Sequence, residues 1–149
     1  EMLMNVLLSL MPAKQRKEYE KLTCERKEEQ ERLHKKEIRE RLSAMCPTFK
    51  HKEVSEAVQL LGNKMNELPD ICIQRLVRDV DGHDLAGCVY AFDQGTRTKV
   101  LKNLSTRYRD AVEEEAVKWP FFDEGNLVAS VNKVINTIGI LRERGEFVL

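Results

Sequence analysis

The chain has no excess of charge of either sign, because its 149 residues include 25 lysines and arginines and 25 aspartates and glutamates. Bulk charge therefore gives no reason to expect a nucleic-acid partner or an acidic membrane surface. Long apolar runs are missing too. Runs such as Val6-Leu7-Leu8 are far too short to span a bilayer, so no membrane-spanning segment is predicted.

Cysteine is sparse, and its spacing excludes the common cysteine motifs. The chain has four cysteines and no Cys-x-x-Cys pair, whereas small secreted disulfide frameworks are denser. This pattern favours a reduced, cytoplasmic setting. Cys72 and Cys88 fall on predicted buried faces, where they act as small apolar residues. Cys24 is predicted to be an exposed thiol with no base near it in the sequence.

The motifs of catalytic chemistry are also absent. The sequence has no phosphate-binding loop, no Gly-x-Ser-x-Gly and no dinucleotide fingerprint. His34, His51 and His83 are isolated, without His-x-x-x-His or Cys-His spacing, so no metal site is predicted. Asp79 and Asp81 flank a turn, where helix capping explains them better than acid–base chemistry. The sequence thus predicts a protein that is not an enzyme and has no catalytic residue, cofactor or metal.

What the chain does contain is a globular share of apolar residues, 42%, beside an unusually high 34% of charged residues. Its length suits one domain, or one compact domain with an appendage. The first residue is Glu1 rather than methionine, which predicts that the chain is a fragment of a longer protein.

The N-terminal part divides into two helices of opposite character. Residues 2–11 are nearly all apolar and precede Pro12, which predicts a short buried helix. From Lys14 to Arg41, 19 of 28 residues are charged and neither glycine nor proline occurs. We predict one long, mostly solvated helix over 13–43. It is either simply a solvated surface, or a strut between domains or a coiled-coil partner surface.

The remaining residues predict short helices joined by tight turns. Asp70 and Asp123 are expected to cap helix N-termini, and Gly145 to end the last helix. The fold class is therefore all-α: an armadillo-like helical stack with a C-terminal helical subdomain and one long charged helix near the N-terminus. The predicted helices after the long one span residues 48–65, 71–80, 85–92, 96–104, 105–118 and 124–144.

Four short motifs occur in the second half of the chain in a fixed order. They are Ile73-Gln74-Arg75 before a Val80-Asp81 turn, then Asp84-Leu85, then Asn103-Leu104-Ser105-Thr106-Arg107, and finally Gly145-Glu146-Phe147-Val148-Leu149. In order and spacing they resemble the C-terminal domain of the flagellar motor switch protein FliG, over half of the chain and without an insertion. Residues 1–69, which resemble that family less, are predicted to form armadillo-like helices, and residues 70–149 the FliG-like C-terminal domain.

The resemblance implies a scaffold protein of the flagellar rotor and switch complex, acting in motility and chemotaxis. Its expected place is the cytoplasmic face of the flagellar basal body, peripheral to the membrane at most. Its expected partners are other flagellar switch and rotor proteins and the stator protein MotA. Ring-forming self-association is expected of the full protein, and no nucleic-acid partner.

The same resemblance assigns charges on the predicted helix 105–118 to contact with the stator. The family's basic and paired acidic positions are met by Arg107, Glu114 and Glu115. Tyr90 and Asp123 stand where the family carries a lysine and an arginine, so they depart from the pattern. Exposed charges on a rigid helix make fast, weak and salt-sensitive contacts, which suit a rotating interface.

Other hypotheses stay open at the level of sequence. The chain could be a FliG-like structural adaptor at the flagellar base without torque generation, or a generic helical-repeat module akin to the regulatory domains of magnesium transporters. The cluster Trp119-Pro120-Phe121-Phe122 is either an exposed docking knob or packing over a helix junction. Five basic side chains form either a charged rim for a partner or intramolecular pairs: Arg97, Lys99, Lys102, Arg107 and Arg109.

Overall fold

The computed structural model describes residues 2–147, and within that range the chain forms α-helices, one 3₁₀ turn and no strand. The predicted all-α class is confirmed. The elements are α1 (Met2–Leu10), α2 (Ala13–Ala44), α3 (Lys52–Glu67), α4 (Asp70–Asp79), α5 (Gly82–Ala91), α6 (Gln94–Leu101), α7 (Thr106–Ala116), the 3₁₀ turn Trp119–Phe121 and α8 (Glu124–Glu143).

The chain divides into two compact units, residues 1–37 and residues 38–149. The first unit contains α1 and most of α2, and the second contains the last turns of α2 and all later elements. The predicted domain division between residues 69 and 70 follows a different criterion, the family resemblance, and stays a prediction.

In the first unit, α1 is a helix as predicted, but its predicted burial is wrong. No residue of α1 is buried, because the highly charged residues of α2 offer few apolar side chains to cover it. The helix is instead held at its end. Arg16 donates to the backbone oxygens of Leu8 at 2.9 Å and Ser9 at 3.2 Å, which satisfies carbonyls that the end of α1 leaves without a helical partner.

The long charged helix predicted over 13–43 is confirmed as α2, which has 32 residues and a length of about 48 Å at 1.5 Å per residue. Opposite charges one turn apart support it, as where Arg32 donates to Glu29 at 2.5 Å. Its sequence lacks the glycine and proline that would break it, and Pro47 follows its end. Within α2 only Ile38 and Leu42 are buried, and both belong to the second unit.

The second unit is built around α5, whose side chains from Asp84 to Val89 are all buried. Small residues make this central position possible. A Cβ atom on Gly87 would lie 2.7 Å from the Trp119 ring, so only glycine allows this approach. Asp84 also ties α5 to α8, because it accepts a hydrogen bond from Ser130 at 2.7 Å. Burial, with Asp84 nearby, raises the pKa of the Cys88 thiol, which fits the apolar role expected of Cys88.

Helix α8 covers the core with the apolar face that the sequence predicts, and the ends of the helices follow local capping chemistry. Asp81, Asp93 and Asp123 each accept a backbone N–H at 2.8 Å at the start of α5, α6 and α8. Gly145 ends α8 with a φ of +69°. The expected cap at Asp70 is wrong. Pro69 is the capping residue and Asp70 lies inside the first turn of α4, where its charge still suits the helix dipole.

Candidate partner-binding surface

Helix α7 contains the three charges that the sequence assigns to a partner. Ser105 caps the start of the helix by accepting the Tyr108 N–H at 3.3 Å. Arg107 and Glu114 are exposed, and Glu115 is half-buried. All three lie on one capped helix of eleven residues, so the structure holds them on a rigid element.

The acidic run that contains Glu114 and Glu115 is divided by the helix period. Glu113, the residue before them, is 2% exposed and points inward. Arg109 donates to Glu113 at 2.8 Å, and Arg39 from the end of α2 lies 3.5 Å from the same carboxylate. Sequence reasoning missed the Arg39 contact because α2 and α7 are far apart in the chain. Glu113 therefore contributes to packing, whereas Glu114 contributes to the surface.

Glu115 is linked to an aromatic cluster that follows α7. Its carboxylate lies 3.0 Å from Nδ1 of His83. The His83 ring stacks on Trp119 with 4.8 Å between ring centroids and meets the edge of Phe122 at 5.2 Å. His83 carries no sequence signal for this role, because Glu115 is 32 residues away. The structure thus brings acidic and aromatic side chains together on one side of α7.

The two hypotheses about the aromatic cluster each describe part of it. Trp119 is 1% exposed and packs over the junction of the helices, whereas Phe121 is 88% exposed and Phe122 41%. The indole Nε1 of Trp119 is buried without a hydrogen-bond partner in the described part of the chain. Packing explains the tryptophan, and the two phenylalanines stay at the surface.

Arg97, one of the five basic residues considered for a charged rim, is almost fully buried, at 2% exposed. Its guanidinium lies where α2 and α5 end, and burial lowers its pKa. It donates only to oxygens, five of them on the backbone: Val89 at 2.8 Å, Leu42 at 2.5 Å, Tyr90 and Phe92 at 3.0 Å, and Met45 at 3.3 Å. These carbonyls lie in or just past the last turns of α2 and α5, where helical donors run out, so Arg97 holds two helix termini together.

Three more of these basic residues make intramolecular contacts. Lys99 donates to the Leu68 carbonyl at 2.7 Å, Lys102 lies 3.5 Å from Asp70, and Arg109 pairs with Glu113. Across residues 2–147, no ion pair or side-chain hydrogen bond of Arg107 is found. Within residues 2–147, intramolecular contacts therefore account for four of the five, and Arg107 is exposed.

Tyr90 and Asp123, the two predicted departures from the family pattern, have different surroundings. Tyr90 is half-buried, and burial, with Glu124 nearby, raises the pKa of its hydroxyl. Asp123 is exposed and caps α8 through the Asn126 N–H. A basic residue at position 123 could not accept that hydrogen bond. The need for a hydrogen-bond acceptor at the start of α8 therefore explains the aspartate at position 123.

Two searches of residues 2–147 found nothing further. No group of three or more histidine, cysteine, aspartate or glutamate side chains is arranged to hold a metal ion. None of the helices in this range combines the length and apolar character needed to cross a membrane.

The fold and this surface define an all-α domain in which one capped helix presents charged side chains to solvent. The family model of the FliG C-terminal domain matches residues 63–149, and the chain therefore belongs to the FliG C-terminal domain family. It is 30% identical over 82 residues to the flagellar motor switch protein FliG of Borreliella burgdorferi, a match that covers 55% of this chain and 24% of that protein. The chain thus matches about a quarter of the length of that relative. No solved structure matches it.

Proposed function

We propose that this chain is part of a scaffold protein of the flagellar motor switch, without enzymatic activity. Membership of the FliG C-terminal domain family supports this proposal, as does the similarity to a flagellar motor switch protein. In this proposal the chain acts at the cytoplasmic face of the flagellar basal body. Its partners there are other switch and rotor proteins, and the full protein associates with itself into a ring.

The surface proposed to face the stator is the exposed side of α7. The observation that carries it is the difference in exposure along α7, since Glu113 is buried whereas Arg107 and Glu114 are exposed. Glu115 adds a second half-buried acid. Individually, exposed charges contribute less than about 1 kcal/mol to a contact, which permits the rapid making and breaking of contacts with a stator protein such as MotA.

The test is charge reversal on this face in the full protein. Arg107→Glu and Glu114→Lys, alone and together, are expected to impair swimming and to leave the thermal unfolding of the domain unchanged. Glu143→Lys is a matched control, because Glu143 is an exposed acid at the end of α8. Normal swimming of the double variant, at normal protein levels, would contradict a stator-facing role for α7.

A second candidate is a structural adaptor at the flagellar base that generates no torque. Asp123 favours it. The resemblance predicts a basic charge at this position, whereas the aspartate caps α8 by accepting the Asn126 N–H. Co-purification separates the two candidates. An adaptor would co-purify with other switch proteins, whether or not the cytoplasmic loop of MotA is present. A torque component would bind that loop directly.

A further inference from the structure

A groove lies between α3, the segment that precedes α3 and the start of α6. Its volume is about 320 Å³, and its lining includes Phe49, Gly62, Phe92 and Asp93. These residues belong to the unit of residues 38–149, and none of them lies on α7. The groove is therefore a feature separate from the charged surface of that helix.

Gly62 leaves the middle of this groove open. It is an interior residue of α3, where glycine lowers the stability of a helix relative to alanine. Packing within residues 2–147 does not require glycine there. A Cβ atom at position 62 would meet Cδ1 of Phe92 at 4.0 Å, an ordinary van der Waals distance. The missing side chain instead leaves room above Val58 and Phe92, which also line the groove, and permits a ligand to approach the helix closely.

A row of amide side chains lies along the same face of α3. Gln59, Asn63 and Asn66 are exposed and line the groove, and their spacing of four and three residues makes them neighbours on the helix surface. The Asn66 amide nitrogen donates to the Gly62 carbonyl and to Oγ1 of Thr96, both at 2.9 Å. Within residues 2–147, no side-chain hydrogen bond of Gln59 or Asn63 is found. These two side chains each present a donor and an acceptor at the groove.

The spacing of the two amides matches that of an extended polypeptide. Four residues of helix advance about 6 Å from Gln59 to Asn63, and two residues of an extended chain advance about 6.6 Å. Because a peptide unit also has one donor and one acceptor, the two amides can pair with alternate peptide units. Every second side chain of such a segment points to the same side, and Gly62 provides the room for one of them.

The chemistry of the lining decides which kind of segment fits. Among the described residues that line the groove, Asp93 alone is charged. An acidic segment or a phosphate group would face this carboxylate with no lining cation to balance it. The rings of Phe49 and Phe92 and the buried Val58 instead favour an apolar or aromatic side chain.

We propose that this groove binds an extended, uncharged segment of a partner protein, with one large apolar side chain of that segment seated over Gly62. The amides of Gln59 and Asn63 hydrogen-bond alternate peptide units of the segment, and the rings of Phe49 and Phe92 contact its apolar side chain. This proposal goes beyond the proposed function, because it assigns a partner to α3 and not to the charges of α7. It holds whether or not α7 contacts a stator.

The test selects linear peptides from a random phage-displayed library against the full chain. We expect the enriched peptides to lack acidic residues and to share one large apolar residue. The strongest binder is then synthesised, and titration calorimetry measures its affinity. Gly62→Leu fills the groove and should weaken binding by about tenfold or more. Gly139→Leu is the matched control, because Gly139 is also a helical glycine with open space around it but lies on α8, outside the groove.

Two further changes test the pairing with peptide units. Asn63→Ala should weaken binding about fivefold, the effect of one lost hydrogen bond. Asn132→Ala is its control, since Asn132 is an exposed asparagine on α8, and its binding should equal that of the unchanged protein. In the peptide, an ester in place of an amide removes one N–H without adding bulk. At one or more positions this replacement should cause a similar loss.

Several outcomes would overturn the proposal. They are a library that yields no binding peptide, enrichment of acidic peptides, and unchanged affinity for Gly62→Leu or for Asn63→Ala. Full binding by every ester peptide would also overturn it, because peptide units would then not be recognised. So would a dimer of the chain that Gly62→Leu disperses, because the groove would then hold a second copy. Thermal melting of each variant separates a lost binding site from a lost fold.

Discussion

The Nε atom of Arg39, in the last turns of α2, lies 3.5 Å from Oε1 of Glu113 on α7. Arg39 also donates to Asp110 at 3.0 Å. Because Glu113 is 2% exposed, its charge is stabilised by Arg39 and Arg109 rather than by water. The inner face of α7 is thereby tied to the last turns of α2 within the same unit, while Glu114 on the outer face is exposed.

The adjacent acids of α7 should consequently respond very differently to the same substitution. Glu113→Ala leaves Arg39 and Arg109 without their shared partner and is expected to destabilise the domain by about 1–3 kcal/mol. Glu114→Ala is expected to change stability by less than about 0.5 kcal/mol, because it alters an exposed side chain. Urea unfolding at pH 7 measures both values. Equal effects would show that Glu113 does not have the packing role described above.

Replacing Arg97 should be among the most damaging single changes in the chain. Arg97→Met keeps the stem but removes every donor, so that five backbone carbonyls each lose one hydrogen bond, and only that of Leu42 is known to keep another, from the Met45 N–H. We expect a loss of about 3–5 kcal/mol, because each orphaned buried acceptor carries a desolvation cost. Arg107→Met is the control, since Arg107 is exposed. If urea unfolding shows that Arg97→Met lowers stability by less than about 1 kcal/mol, Arg97 does not hold the two helix termini together.

Replacing two helical glycines with alanine should change the stability of the domain in opposite directions. At Gly87 the new Cβ would lie 2.7 Å from Cζ2 of Trp119, and such overpacking costs about 1–3 kcal/mol. At Gly139 nothing lies within 4 Å of the new atom. Alanine there should stabilise α8 by up to about 1 kcal/mol through helix propensity. Calorimetric melting temperatures should therefore fall for Gly87→Ala and rise for Gly139→Ala, and a rise for both would exclude the tight contact.

The cap at Asp93 predicts a pH dependence. The hydrogen bond from the Thr96 backbone N–H holds the pKa of the Asp93 carboxyl below its usual range. A depressed folded-state pKa gives stability that is fully present above the unfolded-state value, about 3.9, and is lost as pH falls through the folded-state value. At pH 7, Asp93→Ala should cost about 1 kcal/mol, and the difference from the unchanged protein should shrink below about pH 4.

Asp93→Asn provides the control for this effect, because asparagine also caps helices but does not titrate. Its stability relative to Asp93→Ala should stay constant over the same pH range. Urea midpoints at several pH values between 3 and 7 give both comparisons. If the difference in stability between Asp93→Ala and the unchanged protein is the same at pH 7 and below pH 4, the ionised carboxylate is not responsible for the stability of the cap.

Local patterns predicted most of the helices correctly. The charged stretch without glycine or proline became α2, and the apolar spacing after Asp123 became α8. Boundaries were less accurate where turns are short, since α6 ends at Leu101 and α5 begins at Gly82. The cap at Asp70 failed because Pro69 already has the extended backbone of a capping residue, so the aspartate falls one position inside the helix.

The candidate surface could be predicted only in part. Arg107 and Glu114 were correctly expected on a helix, and both are exposed. The sequence did not distinguish them from Arg97 and Glu113, which carry the same charges but are buried. Nor did it indicate that His83 joins Glu115 to Phe122.

The sequence by itself determined which segments are helical, where turns interrupt them, and the family to which the domain belongs. The helices and turns depend on residues within a few positions of each other, through helical periodicity, capping and turn chemistry, and the family is visible in the order and spacing of short motifs along the chain. Only the tertiary structure decided which charges are used internally and which face solvent. That choice depends on contacts between distant residues, as where the Arg97 guanidinium meets the Leu42 carbonyl or Arg39 meets Glu113, and no local pattern encodes the distance between them.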